Sequence, residues 1–449
     1  MKITQLYSAS VLIQDGNTKI LCDPWLQGEE YYGSWGMYPI YNFKPELFDD
    51  IDFIYISHIH PDHCSARTLM RLNKKIPVLI HNFPEKFLKF KIESLGFKVI
   101  ELEHNLRVRL KGDLHINILA ADNCNPEICG KLMGCPLLET KFGTTQVDTM
   151  SVIDNGKEVI VNTNDCPYPI GLAAANIVKA QYPSVDVLLV GYVKASSYPQ
   201  CFDLDENEKR KEAEIKQINK LETSKNYITL LKPKYYIPFA GRYTLTGKNF
   251  DLNVYRGEPE LEYAYDWLQQ NIPKETHKGI ILNHDDYLDV TTGSTSNQYV
   301  RIDPSKKREY EEKVLSHIKY DYENESYPSL DDIVSMISQS YDNFEKCRRK
   351  IGWTSNTVIL LSLPQEKTAV ISCNDNGFEI QSSTMTSGYN QYLAISVDSR
   401  LLRWLLQGPR KAHWSLADIG CHIRYKRVPN VYERALYYCW NFFYSNKYN

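Results

Sequence analysis

The chain of 449 residues is longer than one hydrophobic core usually serves, so two domains, or one domain with a large extension, are expected. Its 52 Lys and Arg residues nearly balance 55 Asp and Glu residues, which gives no reason to expect a nucleic acid or an anionic membrane surface as partner. No run of about 18 apolar residues occurs, so no membrane span is expected. Eleven scattered cysteines favour reduced thiols in a cytoplasmic protein over a disulfide framework.

The first 165 residues are rich in strand signals. Residues 2–22 predict three strands with a turn at "DGNT", and not a signal peptide. "DFIYI" predicts a buried strand, "SARTLMRLNKK" a short helix with Ser65 as N-cap, and residues 77–102 a strand–helix–strand unit. "TMSVIDNGKEVIVNTND" predicts a hairpin that turns at Asn155 and Gly156.

The pattern then alternates helices with buried strands. The run of charges after Asp205 predicts a long amphipathic helix whose inner face carries Ile215, Ile218 and Leu221, with the charges solvating the outer face. The order of elements predicts two mixed sheets packed between helical layers. A polar stretch near residues 291–310 predicts a boundary between a first domain, 1–295, and an α+β C-terminal extension packed on it, 296–449.

Four metal-ligand side chains crowd the segment "SHIHPDHCS", directly after a predicted strand. His58 and His60 project from the same face at a strand end, and Pro61 lets Asp62 and His63 turn back toward them. Imidazoles with a carboxylate suit Zn²⁺, Mn²⁺ or Fe better than Ca²⁺ or Mg²⁺. The alternative is a polar loop whose histidines cap the next helix.

This segment resembles the His-x-His-x-Asp-His signature of the metallo-β-lactamase superfamily at every signature position. The resemblance implies an αββα sandwich with a mono- or dinuclear metal site. It further implies that His58 and His60 bind a first ion and that Asp62 and His63 bind a second. A bridging carboxylate is expected at the end of a later strand, where Asp165 in "VIVNTNDCPY" matches, although this aspartate could instead cap the following helix.

Three further stretches narrow the resemblance: "ILCDPWLQGEEYYGSWGMYP", "YITLLKPKYYIPFAGRY" and "HWSLADIGCHIRYKRVPNVY". They are similar to the branch that contains cytidine monophosphate N-acetylneuraminate hydroxylase, with the ascorbate-phosphate lactonases as more distant relatives. In that branch Asp23 would support the metal loop without binding the metal. An aspartate–proline turn that ends a strand is the alternative.

Two departures from the superfamily pattern concern histidines. Where a further histidine is usual, this chain offers Asp122, with Asp148 as another carboxylate near the right place, which we expect to play a supporting role. The usual late histidine is missing from "IPFAGRY"; His284 could replace it or be a surface residue at a strand end. The resulting carboxylate-rich set suits iron or manganese as well as zinc; it comprises His58, His60, Asp62, His63, Asp122 and Asp165.

The first functional hypothesis is a metallo-hydrolase that holds two divalent ions, Zn, Fe or Mn. They would activate a water for attack on a small substrate, phosphorylated or like a nucleotide sugar. Asp62 would bind metal or act as general base, and Asp165 would take part in catalysis with it. Arg242 and Lys232 could meet a phosphate of the substrate, or simply be solvated at the surface.

The second hypothesis is a non-haem diiron oxygenase that acts on a nucleotide sugar or a related small molecule. A Rieske iron–sulfur module requires Cys-x-His pairs, and no cysteine in this sequence is followed two residues later by histidine. An oxygenase would therefore need electrons from a partner reductase. A third interpretation is a metal-binding protein without catalysis. The extension could cover the site or form a homodimer contact.

Overall fold

The computed structural model describes residues 1–120, 148–273, 277–382 and 388–445. Strands of the N-terminal part are β1 (Lys2–Tyr7), β2 (Ser10–Asp15), β3 (Thr18–Cys22), β4 (Trp35–Gly36), β5 (Phe53–Tyr55), β6 (Val78–His81), β7 (Val99–Leu102), β8 (Val108–Arg109), β9 (His115–Ala120), β10 (Thr149–Asp154), β11 (Val159–Asn162), β12 (Val187–Gly191), β13 (Tyr235–Phe239), β14 (Thr244–Leu245), β15 (Lys278–Gly279) and β16 (Tyr287–Asp289).

These strands form two mixed sheets that lie face to face. One sheet has the order β16-β1-β2-β3-β5-β6-β7, the other β15-β13-β12-β11-β10-β9-β8, and β4 pairs with β14 separately. Buried residues of both sheets, among them Ile13, Ile20, Ile118, Ile160 and Leu189, share one apolar cluster between the sheets. Burial of such side chains removes apolar surface from water and drives the two layers together.

Helices cover the outer faces of both sheets. On the first sheet they are α1 (Ala66–Arg71) and α2 (Phe87–Ser94), and on the second α3 (Tyr168–Gln181), α4 (Glu206–Leu231) and α5 (Leu261–Asn271). Ser65 caps α1 as predicted, since its side chain accepts a hydrogen bond from the Thr68 N–H. The predicted αββα sandwich is confirmed.

The inner face of α4 differs from the prediction at one position. Ile215 is 44% exposed, whereas Lys220 is buried with 7% exposure next to the fully buried Leu221. The buried residues Ala213, Lys220, Leu221 and Ser224 follow helical spacing. A lysine therefore occupies a position that the hydrophobic pattern assigned to the outer face.

The C-terminal part adds a third sheet and further helices. Its five strands lie in the order Phe378–Gln381, Thr368–Cys373, Ser355–Ser362, Tyr392–Val397 and Ile423–Val428. Residues such as Tyr320, Ile333 and Leu401 belong to the same apolar cluster as Leu6 and Ile54 of the first sheet. The sandwich ends at β16, while the predicted boundary at residue 295 stays a prediction. The elements are α6 (Pro304–Lys313), α7 (Leu330–Lys350), β17 (Ser355–Ser362), β18 (Thr368–Cys373), β19 (Phe378–Gln381), β20 (Tyr392–Val397), α8 (Ser399–Gln407), α9 (Trp414–Ile419), β21 (Ile423–Val428) and α10 (Arg434–Trp440).

Among the described residues, every helix is too short or too polar to cross a lipid bilayer.

Candidate metal centre

The histidine loop and the later aspartates meet at one edge of the sandwich. The loop follows the carboxyl end of β5, and Asp165 follows the carboxyl end of β11. Because β10 runs antiparallel to β11, Asp148 before β10 lies at the same edge. The Thr149 hydroxyl, which donates to the Ser57 carbonyl at 2.9 Å, joins the two sheets at this point.

Two groups of metal-ligand atoms share Asp165. His58, His60 and Asp165 offer atoms that all lie within 4.8 Å of one another, and so do Asp62, His63 and Asp165. A carboxylate has two oxygens, so one aspartate can serve two neighbouring ions. Five residues predicted as ligands are thus brought together in two groups that could each hold an ion.

The nitrogen atoms of this cluster are poised to bind cations. His63 Nε2 is buried and, within the described part of the chain, has no hydrogen-bond partner, although Asp165 Oδ1 lies only 3.3 Å away. His58 Nε2 and His60 Nδ1 face each other at 2.8 Å. Burial lowers the pKa of His58 well below its usual value, which keeps this imidazole neutral and able to bind metal. The residues therefore fit a metal pair.

Asp23 and Ser57 fix the orientation of the buried histidines. Asp23 accepts hydrogen bonds from the Ser57 N–H at 2.7 Å and the Ser57 hydroxyl at 2.6 Å. It also lies 2.8 Å from His63 Nδ1, and Ser57 Oγ lies 3.0 Å from His58 Nδ1. The network assigns a proton to Nδ1 of both His58 and His63, which leaves their Nε2 atoms free for metal. Asp23 thus contacts both His63 and the start of the metal loop, while its role in supporting a metal stays a prediction.

Two side chains that the sequence reasoning missed hold the rest of the loop. The Tyr31 hydroxyl donates to Asp62 Oδ1 at 2.7 Å, so only the other oxygen of Asp62 faces His63. Lys91 on α2 donates to the carbonyls of Ile59 and Cys64 at 3.2 and 3.0 Å. The stretch "EEYYGSW", which contains Tyr31, gave no signal for the contact with Asp62, because tyrosine is usually a packing residue.

Asp148 lies closer to the cluster than its predicted supporting role suggests. Its Oδ1 is 3.3 Å from His58 Nε2. Burial, together with the nearby charge of Asp165, raises the pKa of Asp148 to about 7. Burial alone would raise the pKa of Asp165, but the imidazole of His63 holds the pKa of this carboxyl below its usual range. A third carboxylate thus stands next to His58, where it could also bind metal.

Two further residues were considered as metal ligands from the sequence. Asp122 falls outside the described residues, so its role stays a prediction. His284 packs edge-on against Tyr7 and Tyr41, with ring centroids 5.5 and 5.8 Å apart, and is not part of either ligand group.

The two predicted phosphate-binding residues lie at opposite ends of β13, with Lys232 before the strand and Arg242 after it. Arg242 donates to the Tyr299 hydroxyl at 3.3 Å and lines a cavity with Gln5 and Tyr192. Lys232 ends α4 before the start of β13, at the sheet edge opposite Asp165, and a strand of this length spans about 16 Å. The prediction that Lys232 meets a substrate at the metal residues has no support from its position.

A histidine of the extension supports the metal loop from behind. His422 Nε2 donates to the Tyr31 carbonyl at 2.7 Å, and the Tyr322 hydroxyl lies 3.2 Å from Nδ1. Burial lowers the pKa of His422 to about 3, so this imidazole is neutral in the folded protein. In the unfolded chain the same imidazole takes up a proton near pH 6.5. The contribution of neutral His422 to the free energy of unfolding is therefore complete above that pH and is lost as the pH falls toward 3.

We expect acid to destabilise the wild-type protein through His422. Between pH 7 and pH 5 this group should remove about 2 kcal/mol from the free energy of unfolding, as measured by urea titration. His422→Gln keeps a donor and an acceptor but does not titrate. The free energy of unfolding of this variant should therefore fall less between pH 7 and pH 5, by that same amount. The control is His317→Gln at an exposed histidine. Equal losses in all three proteins would contradict the assignment.

One family profile matches the N-terminal part of the chain. Residues 2–119 match the beta-lactamase superfamily domain. This span contains both Asp23 and the segment from His58 to His63. The resemblance inferred from the histidine signature is confirmed.

Two curated relatives align with about half of the chain. A protein of Mycobacterium tuberculosis (strain ATCC 25618 / H37Rv), assigned by name to the Rieske 2Fe-2S iron-sulfur proteins, is 27% identical over 247 residues, which are 54% of this chain and 44% of the relative. The cytidine monophosphate-N-acetylneuraminic acid hydroxylase of Danio rerio is 26% identical over 254 residues, which are 54% of this chain and 38% of the relative. The chain spans less than half the length of both.

A solved structure shows a partial likeness as well. The diiron beta-hydroxylase CmlA from Streptomyces venezuelae overlaps with 66% of this chain and 54% of its own, at 16% identity and a TM-score of 0.43.

Proposed function

We propose that this chain, whose residues 2–119 carry a beta-lactamase superfamily domain, is a dinuclear metal enzyme that hydroxylates a small molecule. The observation that carries the proposal is the position of Asp165 in both ligand groups, where it can bridge two ions. Its carboxylate faces His58 Nε2 at 3.9 Å on one side and His63 Nε2 at 3.3 Å on the other.

The choice of oxidative chemistry has two supports. The described cluster contains as many carboxylates as histidines, because Asp148 stands next to His58. Oxygen-rich ligation favours iron or manganese, although zinc also accepts nitrogen and oxygen ligands. The second support is the two curated relatives, which are named as a hydroxylase and as a Rieske protein.

The residues divide the work of holding and orienting the metals. Asp23 and Ser57 fix the histidine rings, and Tyr31 fixes Asp62. Asp165 is the more open member of the cluster, with its side chain 30% exposed against 16% for Asp148, so substrate would approach from its side. When bound, an iron pair would supply the oxygen activation that hydroxylation needs.

The electrons must come from outside the described site. Hydroxylation inserts one atom of dioxygen into a C–H bond and reduces the other atom to water, which consumes two electrons and two protons. The sequence has no Cys-x-His pair for a Rieske cluster. A separate iron–sulfur protein or reductase is therefore the proposed partner.

The second candidate is a hydrolase, and the same missing Cys-x-His pair favours it. A zinc pair at these residues would activate water without any electron donor. Asp62, held by Tyr31, would then bind metal or act as general base on a phosphorylated or nucleotide-sugar-like substrate.

Metal analysis separates the two candidates. The full chain is purified without added metal, and its iron, manganese and zinc are measured together with the visible spectrum. Two irons per chain, with an absorption band that bleaches on reduction, would support the oxygenase and exclude the hydrolase. Two zincs, with turnover of a phosphodiester or lactone in the absence of reductant, would exclude the oxygenase. Wild-type protein with no more metal than the double variant His58→Ala/His63→Ala would contradict both.

A further inference from the structure

Helix α4 is anchored directly beside the candidate metal centre. The Ser224 hydroxyl donates to the carbonyl of Gly191, the last residue of β12, at 2.8 Å. The Tyr227 hydroxyl donates to the carbonyl of Cys166, the neighbour of Asp165, at 3.1 Å. These two contacts place the middle of α4 against the carboxyl ends of the strands that carry the site.

Lys220 occupies the next turn of this helix, beyond the strand ends. Residues four apart lie on the same helix face, so Lys220 continues the row of Ser224 toward the cluster. It is only 7% exposed, and Asp165 and Asp148 are among the charges that act on it. Lys194, in the loop after β12, is an exposed second cation whose charge also reaches Lys220.

The ammonium of Lys220 has no dedicated partner in the described part of the chain: no ion pair or side-chain hydrogen bond joins it to another group there. Burial of an ammonium costs free energy unless an anion compensates it. Burial lowers the pKa of Lys220 to about 8, which still leaves the side chain mostly charged at neutral pH. Asp165 and Asp148 partly compensate this charge in the absence of metal.

Metal binding changes this balance. Once cations occupy the ligand groups around Asp165, the carboxylate charges face the metals, and Lys220 is left beside a site with added positive charge. A buried cation next to a metal pair attracts an anion, and the charge of the exposed Lys194 adds to the attraction. A substrate with its own negative group would supply this anion.

We infer that Lys220 binds an anionic group of the substrate, a carboxylate or a phosphate, next to the metal pair. The inference rests on the proposed dinuclear site and names the substrate class: a small molecule that carries an anionic group in addition to its reacting carbon or ester. Lys220, and not the predicted Lys232 at the opposite sheet edge, is then the lysine that recognises the anion. The competing role for Lys220 is to neutralise Asp165 and Asp148 and so to retain metal or stabilise the fold.

Inorganic phosphate binding to the metal-loaded full chain tests the assignment. Calorimetric titrations compare wild-type protein with Lys220→Met, which keeps the length of the side chain and tolerates burial. Lys211→Met, at an exposed position of the same helix, is the matched control. We expect the Lys220→Met variant to bind phosphate at least about tenfold more weakly than the wild type, with unchanged metal content. Lys211→Met should behave as wild type.

The other outcomes have distinct meanings. Unchanged phosphate affinity in the Lys220→Met variant, or no binding of phosphate by the wild type, overturns the inference while the dinuclear site stands. Loss of metal or a lower urea midpoint in this variant, with Lys220→Arg restoring both but not phosphate affinity, shows the neutralising role instead. A wild-type protein without stoichiometric metal contradicts the proposed function itself, and the inference with it.

Discussion

Replacement of Asp165 by alanine is expected to empty both halves of the metal centre. The residue is the one member common to both ligand groups, so its loss removes a ligand from each ion. Loss of a group that merely supports a ligand already lowers metal affinity by about 10–100-fold, and loss of a shared ligand should exceed this. Metal content of Asp165→Ala, measured after dialysis, should therefore fall from two ions to fewer than one per chain.

The fold should survive this substitution. The side chain of Asp165 is 30% exposed and lies in a loop, so the urea midpoint should change little. Asp113→Ala is the control, since that aspartate is 82% exposed and lies at the opposite edge of the sheet, where His115 pairs with Asp154. An Asp165→Ala protein that still holds two ions would remove the bridging role and, with it, the main support for a dinuclear enzyme.

Substitution of Asp23 by alanine should have the largest effect on stability. Asp23 is fully buried and accepts from the Ser57 N–H, the Ser57 hydroxyl and His63 Nδ1. Alanine would leave these buried donors without an acceptor, at a cost of about 3–5 kcal/mol in the free energy of unfolding. Urea unfolding of metal-free protein at pH 7.5 measures this loss apart from any metal effect.

Asparagine at position 23 provides the matched comparison. Asp23 has φ +44°, in the left-handed region that asparagine tolerates better than alanine. Asp23→Asn keeps one acceptor oxygen, so its destabilisation should be clearly smaller than that of Asp23→Ala. Both variants should bind metal about 10–100-fold more weakly, because the His63 ring loses its fixed orientation. If alanine costs less than about 1 kcal/mol, water has replaced the carboxylate and the network is not needed for the fold.

Much of the fold could be predicted because its signals are local. The hairpin between β10 and β11 follows from Asn155 and Gly156, the start of α1 follows from Ser65, and the β-strands follow from short apolar runs. The segment from His58 to His63 holds four ligand-type residues within one loop, so a single motif revealed most of the site.

The rest of the site depends on contacts between distant parts of the chain. Tyr31 reaches Asp62 across 31 positions, and Asp148 comes beside His58 because the two sheets meet where Thr149 bonds to Ser57. Lys220 belongs to a helix whose many charges indicated a solvated surface, yet the anchoring of α4 by Ser224 buries it. Such positions are set by tertiary packing, for which neither spacing nor composition carries a signal.

The contact between His422 and Tyr31 has a consequence for how this protein can change over evolutionary time. One residue of the extension holds the backbone of Tyr31, and the side chain of Tyr31 holds Asp62. A substitution at His422 is therefore felt at Asp62, and the reverse, although the contact between His422 and Tyr31 alone spans 391 positions of sequence. Substitutions in the extension and in the metal loop should accordingly be correlated among homologues. A chimaera that joins the two parts from different homologues should lose the contacts among His422, Tyr31 and Asp62.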